Sequence, residues 1–375
     1  MKNIQMVDLV GQYEKIKDEI DAAVLEVIGS AAFINGPAVK QFQADLEDYL
    51  GVKHVIACAN GTDALQIALM ALGLEPGDKV IVPSFTYVAT AEVIALLRLK
   101  PVMVDVDPDT FNVTAEIVEA ALTKDTKAIV PVHLFGQSCD IEPIVELARD
   151  KGIPVVEDNA QAIGAVYTFQ DGSRKRAGTI GEIGTTSFYP AKNLGCYGDG
   201  GAMFTNDDEL AGKLRMIANH GQSRTYYHDV IGVNSRLDSI QAAVLDVKLK
   251  YLDEYAEARK KVAGSYDEAF EGVEAVQAPV RQPNSTHVFH QYTIRVRDGR
   301  RDDLKDLLAE EGIPSSIFYP VPLNKQKAFK PFVDPDLELP VTEQLCKEVL
   351  SLPIHTEMEE RSVKDVAQAV GRFFS

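Results

Sequence analysis

Between about residues 53 and 205, short β-rich apolar runs alternate with stretches of helical periodicity. The runs are His54–Ala59, Lys79–Pro83, Val102–Val106, Ala128–His133, Pro154–Glu157, Thr185–Tyr189 and Gly201–Thr205. This alternation predicts an α/β fold in which a mostly parallel, seven-stranded sheet is covered by helices. Several runs stop at polar or glycine-containing segments, namely Asn60-Gly61-Thr62, Asp158-Asn159 and Pro190-Ala191-Lys192. Ligands of such sheets bind beyond the carboxyl ends of the strands, so the chemistry is expected there.

After Asn234 the period changes. Ile240, Val244, Val247 and Tyr251 recur at helical spacing within a stretch from Ser239 to Phe270, which predicts one long domain-connecting helix. The remainder predicts a small α/β domain: a run at His290–Val296, a helix at Arg301–Glu310, a run at Ile317–Tyr319 and a helix at Val363–Phe374. The N-terminal helix Gln12–Ile28 is expected to pack with it. A chain of 375 residues exceeds what one core usually supports. Two units are therefore expected: an N-terminal segment with a large domain over residues 1–245, and a small C-terminal domain over 246–375.

Composition adds mainly exclusions. With 46% hydrophobic residues and no low-complexity tract, the chain reads as an ordinary folded protein. A formal charge of −18 disfavours nucleic acid and anionic membrane surfaces, since both call for basic faces. A phosphorylated ligand stays open, because helix N-termini bind anions through local N–H groups. The segment from Met1 to Gly11 carries Lys2, Gln5 and Asp8 and does not read as a signal peptide. No apolar run reaches the roughly 18–20 residues of a membrane span. Cys58, Cys139, Cys196 and Cys346 are far apart and form no CxxC pair, which disfavours zinc or a redox motif. A reduced, cytoplasmic protein without metal is the expectation.

Three motifs carry chemistry. Asn60-Gly61-Thr62-Asp63-Ala64-Leu65 opens an Ala/Leu-rich helix after a strand, where glycine permits close approach and free N–H groups favour phosphate. Alone it reads better as a plain N-cap by Thr62 or Asp63. Glu157-Asp158-Asn159-Ala160-Gln161 ends an apolar strand in an acidic pair. A carboxylate there suits a protonated ring nitrogen, a helix cap or a metal equally. The third runs from Thr185 through Lys192 into the glycine-rich Cys196–Gly201, and a lysine directly after a strand among small and apolar residues can be desolvated into a nucleophilic amine. Most such lysines are solvated loop charges, and the company of the other two motifs is what raises this one.

In this order and spacing the three motifs resemble the fold-type I pyridoxal-phosphate enzymes, and more narrowly the DegT/DnrJ/EryC1/StrS family of nucleotide-sugar aminotransferases. The likeness extends to Phe33-Ile34-Asn35-Gly36-Pro37, to Pro83 through Ala91, to Asn234-Ser235-Arg236-Leu237-Asp238 and to Tyr319-Pro320. It implies an aspartate-aminotransferase-like architecture with pyridoxal 5'-phosphate as cofactor. Lys192 would carry the cofactor as a Schiff base and shuttle the proton. Asp158 would pair with the pyridine nitrogen, Gln161 with the ring hydroxyl, and Tyr87 would stack on the ring. Gly61, Thr62, Ser187 and the partner subunit's Asn234 would hold the phosphate, so the resemblance implies a homodimer with shared sites. L-glutamate would be the donor, leaving as 2-oxoglutarate, and a nucleotide-linked keto-sugar the acceptor, in ping-pong order.

Within the family, the segments 219–238 and 192–201 look like those of members that aminate C3. The segment Tyr319 through Gln326 is similar to members acting on UDP-2-acetamido-3-keto-glucuronate, which implies that Arg236 and Tyr319 line the sugar pocket and that the product serves lipopolysaccharide or another cell-surface polysaccharide. Phe318 stands where that subgroup has a histidine, and phenylalanine cannot hydrogen-bond a carboxylate. A dTDP-3-keto-6-deoxyhexose, or a C4-keto sugar, is therefore the alternative acceptor. A non-catalytic regulatory protein on the same fold is the reading from another class; it predicts loss of one of Lys192, Asp158 and Gln161, and all three are present.

Overall fold

The computed structural model describes residues 4–374, so Lys2 of the leader reading lies outside the described residues. All seven expected strands form: β1 (His54–Cys58), β2 (Lys79–Pro83), β3 (Lys100–Val104), β4 (Thr126–Ile129), β5 (Val156–Asp158), β6 (Ile183–Ser187) and β7 (Gly201–Thr205). Hydrogen bonding gives the runs β3-β2-β4 and β5-β6-β7-β1. Parallel bridges Ile129↔Val155 and Val132↔Asp158 join the two runs into one sheet. Only β7 is antiparallel to its neighbours β6 and β1. Burial on both faces explains the nearly continuous apolar runs: β7 is buried at every position.

The helix Gly61–Ala71 lies against this sheet with Ala64, Leu65, Ile67, Ala68 and Leu69 buried. Each Leu or Ile so buried contributes about 1.5–3 kcal/mol. A second core lies on three C-terminal strands, β8 (Val276–Gln277), β9 (Tyr292–Val296) and β10 (Val349–Leu352), where Tyr266, Tyr292, Leu304, Leu350 and Val366 pack together. The expected helices appear at Arg301–Glu310 and Glu360–Phe373.

Three expectations are corrected. The long helix over Ser239–Phe270 is two helices, Ser239–Leu249 and Leu252–Phe270. Tyr251 has ψ near 0° and its N–H reaches back only three residues to the Lys248 carbonyl, at 3.1 Å. Across this break Leu245 and Leu249 of the first helix and Leu252 of the second share the cluster of Phe42 and Leu46, while Val244 and Val247 meet Ile16 and Ile20. The division drawn at residue 245 falls inside the first of these helices. Ile317–Tyr319 is no strand; only Ser316 pairs, with Ser351, because Pro314 and Pro320 flank the segment and lack ladder donors. The N-terminal helix is likewise two, Leu9–Lys15 and Lys17–Ser30. The first touches the C-terminal region through Gln12 with Thr356 and Lys15 with Glu357, whereas the second packs on the helix Ser239–Leu249.

Candidate active site

Beyond the ends of β1, β5 and β6, the first two motifs meet the third. Asn60, not Thr62 or Asp63, caps the helix Gly61–Ala71: its Oδ1 accepts from Asp63 N at 2.8 Å. This corrects the capping alternative, and it leaves the N–H groups of Gly61 and Thr62 without an intrahelical acceptor. A Cβ on Gly61 would lie 2.7 Å from Ser187 Cβ, and one on Gly201 would lie 2.5 Å from the Asn60 carbonyl. Three expected phosphate ligands, Gly61, Thr62 and Ser187, thus converge on a concave turn lined by main-chain donors and a hydroxyl. That donor set fits a phosphate monoester.

The acidic pair at the end of β5 divides into two roles. Glu157 is fully buried and points away from the cleft into a donor cluster. Its Oε2 accepts from His133 Nε2 at 2.8 Å and from Gly178 N at 2.9 Å, and its Oε1 accepts from Ile180 N and Gly181 N, each at 2.6 Å. Burial pushes its carboxyl pKa upward, but His133 and the main-chain donors outweigh this and hold it below the usual value. Cys139 N donates to His133 Nδ1, so the imidazole proton sits on Nε2, facing Glu157. Asp158, 5% exposed, faces the cleft. Thr90 Oγ1 donates to its Oδ2 at 2.7 Å and Ala160 N donates to its Oδ1 at 3.1 Å. Two donors fix the carboxylate plane while acceptor capacity remains for a protonated ring nitrogen.

Lys192 follows β6 in a tight loop. Its N–H bonds the Tyr189 carbonyl at 2.8 Å, and Cys196 N returns to the Phe188 carbonyl at 2.8 Å. Asn193 anchors the turn on the Val288 carbonyl at 2.9 Å. Desolvation brings the Lys192 amine from 10.5 down to about 8, against the opposing pull of the Asp158 carboxylate. An amine so poised is neutral in a useful fraction near physiological pH, and it lies within electrostatic reach of an acid that it does not neutralise. The imidazole of His290 is buried beside it and driven well below its ordinary value, first by burial and then by the charges of Lys192 and Arg259.

Gln161 and Tyr319 come together over the same end of the sheet. Gln161 Nε2 donates to Tyr319 Oη at 3.2 Å, and its Oε1 accepts from Phe135 N at 2.8 Å. Tyr87, 57% exposed, lies 6.5 Å from the Tyr319 ring centroid, so one aromatic face is open. Arg236 and Asn234 are elsewhere in character. Asn234 is exposed, its backbone bridging Asn219; Arg236 is half-buried, and among the described residues its guanidinium has no acceptor. Thr90 and His133 were not singled out from the sequence. Thr90 lies in the first turn of the helix Ala89–Leu96, and nothing local in the sequence pointed to its contact with Asp158 or to the pairing of His133 with Glu157.

The family described as DegT/DnrJ/EryC1/StrS aminotransferase matches residues 14–371. The chain belongs to that family. It is 47% identical over 367 residues to UDP-2-acetamido-2-deoxy-3-oxo-D-glucuronate aminotransferase of Pseudomonas aeruginosa, covering 98% of this chain and 99% of the relative. It is equally, at 47% over 374 residues, similar to a protein of Geobacillus stearothermophilus named pleiotropic regulatory protein, covering 99% of each. Among solved structures, S. venezuelae DesV in complex with a ketimine intermediate superposes with a TM-score of 0.96 at 39% identity, over 100% of this chain and 99% of that one. Membership bears out the fold-type I architecture, the aminotransferase activity and the dependence on pyridoxal phosphate expected from the sequence.

Proposed function

We propose that this aminotransferase moves an amino group from L-glutamate to C3 of a UDP-linked 2-acetamido-3-keto-glucuronate-like sugar. The observation that carries the assignment of the working groups is the desolvated Lys192 amine, lowered to about 8, opposite the doubly held Asp158. Pyridoxal phosphate, when bound, supplies an aldehyde that condenses with amines and a ring that accepts the electron pair left by a departing α-proton.

The chain's own residues do the rest. Gly61 N, Thr62 N and the Ser187 hydroxyl receive the phosphate at the helix N-terminus, with Asn234 of the partner subunit closing that side. Asp158, oriented by Thr90, keeps the ring nitrogen protonated. Gln161 turns its remaining amide proton to the ring hydroxyl, and Tyr87 covers the ring face. Lys192 Nζ would hold the cofactor at rest, and as the free amine it would accept the proton from the donor Cα and return it within the same site. The same amine then serves the reverse sequence on the keto-sugar, which gives ping-pong kinetics. Arg236 and Tyr319 face the sugar, between the N-terminal large domain and the small C-terminal domain.

The test is the visible spectrum of the purified protein, followed by a panel of UDP- and dTDP-linked keto-sugars. A band that borohydride bleaches, that fades with L-glutamate and returns with the UDP-3-keto-uronate supports the whole reading. Return only with a dTDP-3-keto-6-deoxyhexose would replace the substrate, as the apolar Phe318 favours. A protein that takes up no cofactor would favour the regulatory role for which one relative is named.

A further inference from the structure

A second lysine lies under the loop that carries Lys192. Lys248 is 1% exposed on the helix Ser239–Leu249. Its Nζ donates to the Gly195 carbonyl at 2.6 Å and sits 5.1 Å from the Tyr197 ring centroid. Two turns earlier on the same helix face, Gln241 Oε1 accepts from Tyr197 N at 2.8 Å. The helix therefore grips the loop at both ends of Gly195–Tyr197, once by a donor and once by an acceptor. The loop has little freedom to answer: a Cβ on Gly195 would fall 2.3 Å from the Pro190 carbonyl, and one on Gly198 would fall 3.3 Å from Gln241 Nε2.

Burying an ammonium with no carboxylate beside it is costly, and a core of this size is ordinarily finished with an apolar residue at such a helix position. Burial brings the Lys248 amine down to about 8, with the neighbouring Arg259 charge adding to the effect and Cys196 opposing it. The hydrogen bond to Gly195 and the Tyr197 face are the gains set against that cost. Both lie in the loop that leaves Lys192 three residues before Gly195.

Resting on the assignment of Lys192 as the cofactor lysine, we infer that Lys248 is a positioning residue for it: the Lys248 ammonium clamps the Gly195 carbonyl and thereby fixes the turn from which the Lys192 amine enters the site. Lys248 acts through the loop and touches neither substrate nor cofactor.

The inference separates loop order from global stability. In Lys248→Met the buried charge is gone and its stem volume is kept, so the thermal midpoint of the cofactor-free protein is expected to hold or rise. In the same cofactor-free protein, amide exchange at Cys196 and Tyr197 is expected to quicken about tenfold or more, the scale of one lost charge-assisted hydrogen bond. Growth of the visible band on adding pyridoxal phosphate is expected to slow by about the same factor. Lys248→Arg, which keeps a charged donor, should recover most of both losses. A folded Lys248→Met with unchanged exchange at these amides overturns the inference, even where the wild-type protein captures cofactor normally. Loss of fold in both variants also overturns it, by assigning Lys248 to the core and not to the loop. Failure of the wild-type protein to capture cofactor would instead sink the assignment of Lys192 and leave the exchange experiment readable.

Discussion

Asp158 and Asn234 are expected to touch opposite ends of the same bound group, yet the chain builds them into different surroundings. Asp158 is 5% exposed and held by two donors; behind it Glu157 collects four more. Asn234 stands exposed next to a hairpin, Gln222–Arg224 with Tyr227–His228, whose neighbourhood presents Tyr226 at 87% and Ile231 at 86% exposure. The floor of the cleft is finished by one chain, hydrogen bond by hydrogen bond. The rim is an apolar edge of the kind that marks a contact surface. Groups that must hold a proton or a charge in place are set in rigid core, and on the proposed reading a group that only completes a wall is lent by a second copy.

The comparison breaks most sharply at Lys192. Lys192→Ala is expected to lower transamination about ten-thousandfold or more while the protein stays folded, because proton transfer and covalent anchoring disappear together; steady-state turnover with L-glutamate measures it. Asp158→Ala is expected to cost about a hundredfold, the scale of one charge-assisted hydrogen bond, with some cofactor still retained. A near-normal rate would deny Asp158 its part in holding the ring. At the rim, Asn234→Ala should weaken cofactor retention about tenfold on dilution. Mixing this variant with Lys192→Ala should restore native sites in part of the mixed pairs, since one site then receives both wild-type residues; no gain on mixing would remove the shared wall. Thr90→Val, which deletes the 2.7 Å bond to Asp158, is expected to slow turnover by about threefold to tenfold without moving the unfolding midpoint.

The smallest effect concerns stability alone. The Lys192 amine falls from 10.5 to about 8 in the folded chain. Below pH 8 both states carry the proton and folding bears the desolvation cost. Between pH 8 and 10.5 only the unfolded state keeps it, so stability rises with pH across that window. Lys192→Met should therefore be the more stable cofactor-free protein at pH 7, by up to about 3 kcal/mol, with the gap closing by pH 10.5. A gap that stays constant with pH would place the amine in solvent.

Much of this was readable in the chain. Period-two and apolar runs found all seven sheet strands because each is buried on both faces, and Lys79–Pro83 and Gly201–Thr205 were found to the residue. The strands β3 to β6 begin about two residues earlier or later than their apolar runs suggest, since pairing, not hydropathy, sets the ends. The break at Lys250–Tyr251 was hidden because both helices share a compatible period and both pack against Phe42 and Leu46, through Leu245 and Leu249 on one side and Leu252 on the other. Asn60 as the cap, Thr90 on Asp158 and His133 on Glu157 depend on contacts between residues 3, 68 and 24 apart, and the last two have no local signature.

The contact between Gly61 and Ser187 reaches further than the site it lines. The start of one helix and the end of one strand meet there like a dovetail, with no room for a methyl group between them. A library randomised at position 61 should return glycine alone, whatever acceptor sugar is used for selection, whereas position 62 should accept serine in place of threonine. New substrate preferences in this scaffold would then be drawn from the rim, with the joint passed on unchanged.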